Sequence, residues 1–215
     1  MALHTSDALI LRTYALGESD RIVVFLTRDR GKKRGVAKNA RQSRRRFGGA
    51  LEPMTTGRVT YREREGRPLA FVEEVAPLSS PLAGVSGDGL GYVSYFAELI
   101  DEWAQENDDN EPLYRLGTTM VEAMAAGVPL EPLARYFEFW LLRLQGVYEA
   151  DARASAGARA FLAAARTCSP MAVGDVPAPA SVLRELEQAH RTQIVMHLEK
   201  ELKSARVLRA IRRTS

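Results

Sequence analysis

The stretch ALILRTYALGESDRIVVFLTRDRGKKRGVAK, Ala8 to Lys38, decides how the first third of this chain folds. ALILRTY alternates as a strand does, with Leu9, Leu11 and Thr13 on one face and Ala8, Ile10, Arg12 and Tyr14 on the other. LGESD then makes a turn. RIVVFLT, Arg21 to Thr27, is β-branched and apolar on both faces, as a strand of a small closed barrel would be. RDRG turns again, and KKRGVAK is a polar strand carrying Gly35. Further on, TGRVTYRE, the turn EGRP and LAFVEEV complete five short strands, which predicts a small β-barrel. Strand count alone suits an OB-fold and an SH3-like barrel equally.

The pattern changes at APLSSPLAGVSGDG, Ala76 to Gly89, whose Pro, Gly and Ser content reads as a linker. Everything beyond it has helical period. Tyr92, Tyr95, Phe96, Leu99, Ile100 and Trp103 form one stripe, and Leu133, Tyr136, Phe137, Trp140, Leu141 and Leu144 form another. Between them Leu113, Leu116, Met120, Val121 and Met124 line a helix opened by Pro112. A weaker helix is expected near 155–166 and a long last one over about 182–211, carrying Leu183, Leu186, Ile194, Leu198 and Leu202. The expected organisation is α+β and multi-domain: a barrel over 1–80, a linker over 81–89 and an α-helical bundle over 90–215.

With 46% hydrophobic and 27% charged residues the composition is that of a globular protein, and no apolar run is long enough to span a bilayer. The opening MALHTSDALILRTYALGESD has no basic leader, so no signal peptide is expected and the cytoplasm is the simplest compartment. Cys168 is the single cysteine, which excludes an internal disulfide and a cysteine-rich zinc site. His190 and His197 stand seven apart, too far for a metal pair on one helix, and read as surface or edge residues. The acids Glu106, Asp108, Asp109 and Glu111 lack ligand spacing and read as a solvated interhelical loop. No phosphate-cradling or dinucleotide-binding glycine motif occurs. Nothing asks for catalysis, a metal or a cofactor.

Charge is where the chain departs from the ordinary. Of the nineteen residues 28–46, ten are Lys or Arg and Asp29 is the only acid, while the whole chain carries a net charge of only +3. The remainder is therefore acidic, and the basic surface is one concentrated patch. Its cations are Arg28, Arg30, Lys32, Lys33, Arg34, Lys38, Arg41, Arg44, Arg45 and Arg46. They are spread over a strand, a loop and the approach to the next strand, so they can line one groove, with Gly31, Gly35, Gly48 and Gly49 letting backbone approach a ligand. Phe25, Phe47 and Tyr61 are near enough to stack on bases, although Phe25 suits the core equally well. A polyanion such as nucleic acid is the expected partner. An RNA- or ribosome-associated OB protein, or an adaptor docking an acidic protein, would use the same patch.

ALILRTYALGESDRIVVFLTRDRGKKRGVAKNARQSRRRFGGALEPMT, with FLTRDRGK, GVAKNAR and SRRRFGGALEP as its most specific parts, resembles the N-terminal domain of the RecO family of bacterial recombination mediators. HLEKELKSARVL, His197 to Leu208, is similar to that family's closing helix. The resemblance implies an OB-fold followed by a helical domain, without bond-making catalysis. It implies binding of single- and double-stranded DNA, annealing of complementary strands, and, together with RecR, loading of RecA onto DNA coated by single-stranded-DNA-binding protein. The basic run would be the DNA surface. A receptor for the acidic C-terminal tail of single-stranded-DNA-binding protein would lie in the helical domain, with Arg135, Arg143, Lys200, Lys203 and Arg206 as candidates by composition. Many members carry a four-cysteine zinc module after the helix equivalent to Arg135–Gln145. Here LLRLQGVYEADARASAGARAF runs straight on without a cysteine, so zinc is not carried over.

Overall fold

The structure is a computed structural model and describes residues 2–43, 45–85 and 87–214. Five strands form where alternation predicts them: β1 (Ala2–Leu16), β2 (Asp20–Thr27), β3 (Lys32–Ala37), β4 (Thr56–Glu63) and β5 (Ala70–Ser79). They close into a barrel in the order β1-β2-β3-β5-β4, with β4 returning to β1 and β3 running parallel to β5. This is the five-stranded Greek-key barrel of an OB-fold, and pairing order settles what strand count leaves open. Ala8, Ile10, Val23, Phe25, Ala37, Val59, Tyr61, Val72 and Val75 fill its interior.

Strict alternation puts Arg12 on the same face as Ala8 and Ile10, but a β-bulge reverses it. Ile10 pairs with Phe25 and Arg12 with Val24, so Leu11 is an extra residue and every side chain after it changes face. Arg12 thereby leaves the barrel interior for Asp101, 2.9 Å from its Nε. Burial alone would lower the Arg12 pKa, but the hydrogen bond with Tyr14 and the charges of Asp101 and Glu98 hold it above its ordinary value.

The helices are α1 (Gly89–Trp103), α2 (Glu111–Ala125), α3 (Leu130–Leu144), α4 (Ala156–Ala165), α5 (Ala180–Leu198) and α6 (Lys203–Thr214). The compact units meet inside the Pro-, Gly- and Ser-rich segment, between Pro81 and Leu82, and again within α1 and within α2. One comprises Met1–Pro81 with Phe96–Val121, the other Leu82–Tyr95 with Glu122–Ser215. In the first, Leu9 reaches Gly117 of α2, where an added Cβ would lie 2.6 Å from a Leu9 methyl. Leu9 and Leu26 face each other across β1 and β2 and are both buried. The second face of these strands is thus apolar because α1 and α2 cover it, and not only because the barrel closes.

In the second unit α3 packs on α5 and α4, with Leu133, Phe137, Leu141, Phe161, Leu186 and Ile194 buried. Ser155 caps α4 by accepting from Ala158 N at 3.1 Å. The expected single last helix is two. Glu199 takes a left-handed conformation (φ 54°), ending α5, and Leu202 and Leu208 are buried after the turn. Glu201 holds the corner by accepting from Arg191 and Arg209 on either side of it.

Candidate nucleic-acid interface

The basic run separates into two halves with different electrostatic states. Its strand half is neutralised from within the first unit. Lys32 is 8% exposed, and its Nζ donates to the Asp101 carbonyl at 2.5 Å and to Asp101 Oδ1 at 3.2 Å. Lys33 is 9% exposed and donates to Glu63 Oε1 and Asn107 Oδ1, both at 2.7 Å. Arg34 pairs with Glu106 at 2.8 Å, Arg28 with Glu111 at 3.0 Å and Arg30 with Asp29 at 3.5 Å. The last three pairs are exposed, where such contacts contribute about 0–1 kcal/mol and can be exchanged for phosphate at little cost. Lys32 and Lys33 cannot be exchanged so cheaply, because both side chains are buried and would lose the acceptors that hold their charge.

The loop 104–110 explains this. Instead of being a solvated connection it lies along β3: Lys32 N donates to Gln105 O, and Asn107 N donates to Lys32 O. Gly31, at φ +66°, makes that approach possible, since a Cβ there would sit 2.2 Å from Asp108 O. Gly35 similarly admits β5, with Val72 and the Ala70 carbonyl where its side chain would be. Both glycines bring the chain close to its own backbone.

The loop half is different. Lys38, Arg41, Arg45 and Arg46 have no carboxylate partner among the described residues; Arg44 lies outside them. Arg41 Nη1 donates to Glu18 O at 3.1 Å, and Arg46 donates to Ser43 Oγ and Lys38 O at 3.0 and 2.7 Å. These bonds place guanidinium groups without cancelling their charge. The loop itself is anchored: Phe47, Ala50 and Leu51 belong to the barrel core, and Asn39 N donates to Asp20 Oδ1 at 2.8 Å. Phe47 is 2% exposed, and Phe25 and Tyr61 are fully buried with their rings 5.4 Å apart, so none of the three presents a face for stacking. Burial pushes the Tyr61 phenol up to about 12.

Other side chains supply that face. Tyr14 pairs with Ile22, Ile22 with Val36, and Val36 with Phe71, giving one row across four strands. At strand spacing the row is about 14 Å long. Tyr14 is 47% and Phe71 36% exposed. Lys38 Nζ stands 5.6 Å from the Phe71 ring centroid, so the charged loop begins where the row ends. Phe71 could have been found from LAFVEEV, where it points away from its inward neighbours Ala70 and Val72. Tyr14 could not, because the bulge decides its face. No group of three or more His, Cys, Asp or Glu among the described residues could hold a metal ion.

Residues 1–81 match the family model of the recombination protein O N-terminal domain, and residues 86–150 match that of its C-terminal domain. The chain belongs to the RecO family. It is 40% identical over 145 residues to the DNA repair protein RecO of Koribacter versatilis (strain Ellin345), covering 67% of this chain and 59% of that protein. It is 39% identical over 154 residues to the DNA repair protein RecO of Anaeromyxobacter sp. (strain K), covering 70% and 60%. Against the DNA repair protein RecO of Bifidobacterium animalis subsp. lactis (strain AD011) identity is 44% over 119 residues, covering 54% of this chain and 49% of that one. The chain therefore spans less than two thirds of the length of these RecO relatives.

For a RecO-family tail receptor the helical candidates are unequal. Arg135 is 4% exposed and committed to Glu138 at 2.7 Å and Glu187 at 3.3 Å. Arg143 is exposed and stacks near Phe139 and Trp140, 5.5 and 5.7 Å from their centroids. Lys200, Lys203 and Arg206 are exposed around the turn into α6. The five do not converge on one described hollow. His190, expected at the surface, is 1% exposed, with Nδ1 3.0 Å from Glu138 Oε2. Tyr95 donates to Glu138 Oε1 at 2.8 Å, so one buried carboxylate organises Arg135, His190 and Tyr95. No helix among the described residues is long and apolar enough to cross a membrane.

Proposed function

We propose that this chain is a DNA repair and recombination mediator that binds single-stranded DNA across its OB barrel, the backbone tracking Lys38, Arg41, Arg45 and Arg46 and bases lying on Tyr14, Ile22, Val36 and Phe71. The carrying observation is the junction of unneutralised cations with an exposed apolar row, at Lys38 over Phe71. Single-strand binders of this fold combine a positive groove for phosphates with aromatic faces for bases. Double-stranded DNA would engage the cations without the row. Annealing follows from the same arrangement: bound cations remove repulsion between two strands, and base pairing supplies the drive. RecR, RecA and the tail of single-stranded-DNA-binding protein belong to the reading through the family. Arg143, Lys200, Lys203 and Arg206 remain the tail candidates.

Competition between single-stranded DNA and RNA of equal length tests the reading. DNA is expected to compete at least as well as RNA. Preferential binding of RNA would favour a protein that reads the 2′-hydroxyl. Absence of nucleic-acid binding at physiological salt would favour docking of an acidic protein.

A further inference from the structure

In the second unit, the segment 148–154 and α5 line two neighbouring hollows of about 110 and 520 Å³. The wall is fixed by reciprocal bonds: Glu149 N donates to Gln193 Oε1 and Gln193 Nε2 donates to Glu149 O, each at 2.9 Å. Ser155 N donates to Glu185 Oε1 at 2.7 Å. Tyr148, Leu162 and Leu186 give the smaller hollow an apolar lining. His190 also lines it. Nδ1 donates to Glu138 Oε2, so in the neutral ring Nε2 is the acceptor, and Nε2 has no hydrogen-bond partner among the described residues. A buried acceptor without a donor is costly, so the hollow favours a guest with N–H groups.

The charge around it points the same way. Both hollows are edged by Glu149, Asp151 and Glu185, and among the described residues that line them Arg159 is the one Lys or Arg, its guanidinium donating to the Ala154 carbonyl. We infer that this groove is a docking site for an arginine- or lysine-rich peptide segment of a partner protein. One long basic side chain lays its methylenes on Tyr148, Leu162 and Leu186 and brings its donors to His190 Nε2 and the rim carboxylates. Neighbouring basic residues lie over the wider hollow, along Asp151 and Glu185. An acidic tail would be repelled here, so this surface is separate from any receptor for one.

The test uses the full chain and two fluorescein-labelled peptides, Gly-Lys-Arg-Leu-Arg-Lys-Gly and its counterpart with Glu and Asp in place of Lys and Arg. Anisotropy should show binding of the basic peptide only, and the His190 imidazole resonances should move as it is added. Glu149→Gln with Asp151→Asn should weaken binding about tenfold by removing two rim charges. Ala189→Leu, which fills the hollow, should abolish it while affinity for single-stranded DNA stays unchanged. If Ala189→Leu misfolds, the carboxylate variant and the His190 resonances decide. Equal binding of the acidic peptide, unmoved His190 resonances, or binding indifferent to the carboxylates would each overturn the inference. So would a concentration-dependent dimer lost in the carboxylate variant, since the occupant would then be a second copy's basic loop.

Discussion

The split between paired and unpaired cations makes a quantitative claim about salt. If Lys38, Arg41, Arg45 and Arg46 each neutralise one phosphate of a single strand, log K against log salt should have a slope of about −2.8. About five engaged phosphates would instead give a slope near −3.5. Between 50 and 200 mM salt the four-contact slope predicts affinity falling about 50-fold. Replacing Arg41 and Arg45 with Gln should halve the slope, so the same change in salt weakens binding only about 7-fold. Lys32→Met is the control, because Lys32 is already held by Asp101: the slope should stay and stability should fall. The assay is fluorescence anisotropy of a labelled oligothymidine across a salt series. An unchanged slope in the Arg41 and Arg45 variant, or a reduced one in Lys32→Met, would refute the division of the run.

Phe71→Ala should weaken single-strand binding by about 1–3 kcal/mol, roughly 5- to 150-fold, if a base stacks on it, with double-strand binding spared; gel-shift titrations of the two DNAs check this. Asp101→Ala leaves Lys32 buried without its carboxylate and should cost about 3–5 kcal/mol in urea unfolding, as breaking a buried pair does. Tyr61 and Tyr92 have pKa values pushed up to about 12, chiefly by burial, against about 10 in an unfolded chain. The folded form keeps these protons longer, so stability should fall as pH rises from about 10 to about 12. Thermal melts across that range should show the decline, and Tyr61→Phe should make it shallower.

The five strands, their turns and the helical stripes are legible in the sequence because burial imposes periods of two and 3.6 on it. What is not legible depends on contacts between distant residues. The bulge at Leu11 leaves no local mark, yet it turns Arg12 toward Asp101 and Tyr14 toward the apolar row. A left-handed Glu199 ends α5 without the glycine or proline that would announce it. His190 reads as a surface residue because its partner Glu138 is 52 positions away. The basic run is obvious as a run, but apart from Asp29 the acids that pair with its first half are Glu63, Asp101, Glu106 and Glu111, none of them beside it in sequence. Sequence locates the charge; folding decides how much of it is left for a ligand.

Annealing of two complementary strands coated with single-stranded-DNA-binding protein, with and without RecR, tests the central claim most directly. The chain with Lys38, Arg41, Arg45 and Arg46 all changed to Gln should anneal at least about tenfold more slowly, given the loss of four phosphate contacts. Its circular-dichroism melt should match the unaltered chain. Annealing at the original rate, with the four cations gone and the fold intact, would contradict the account.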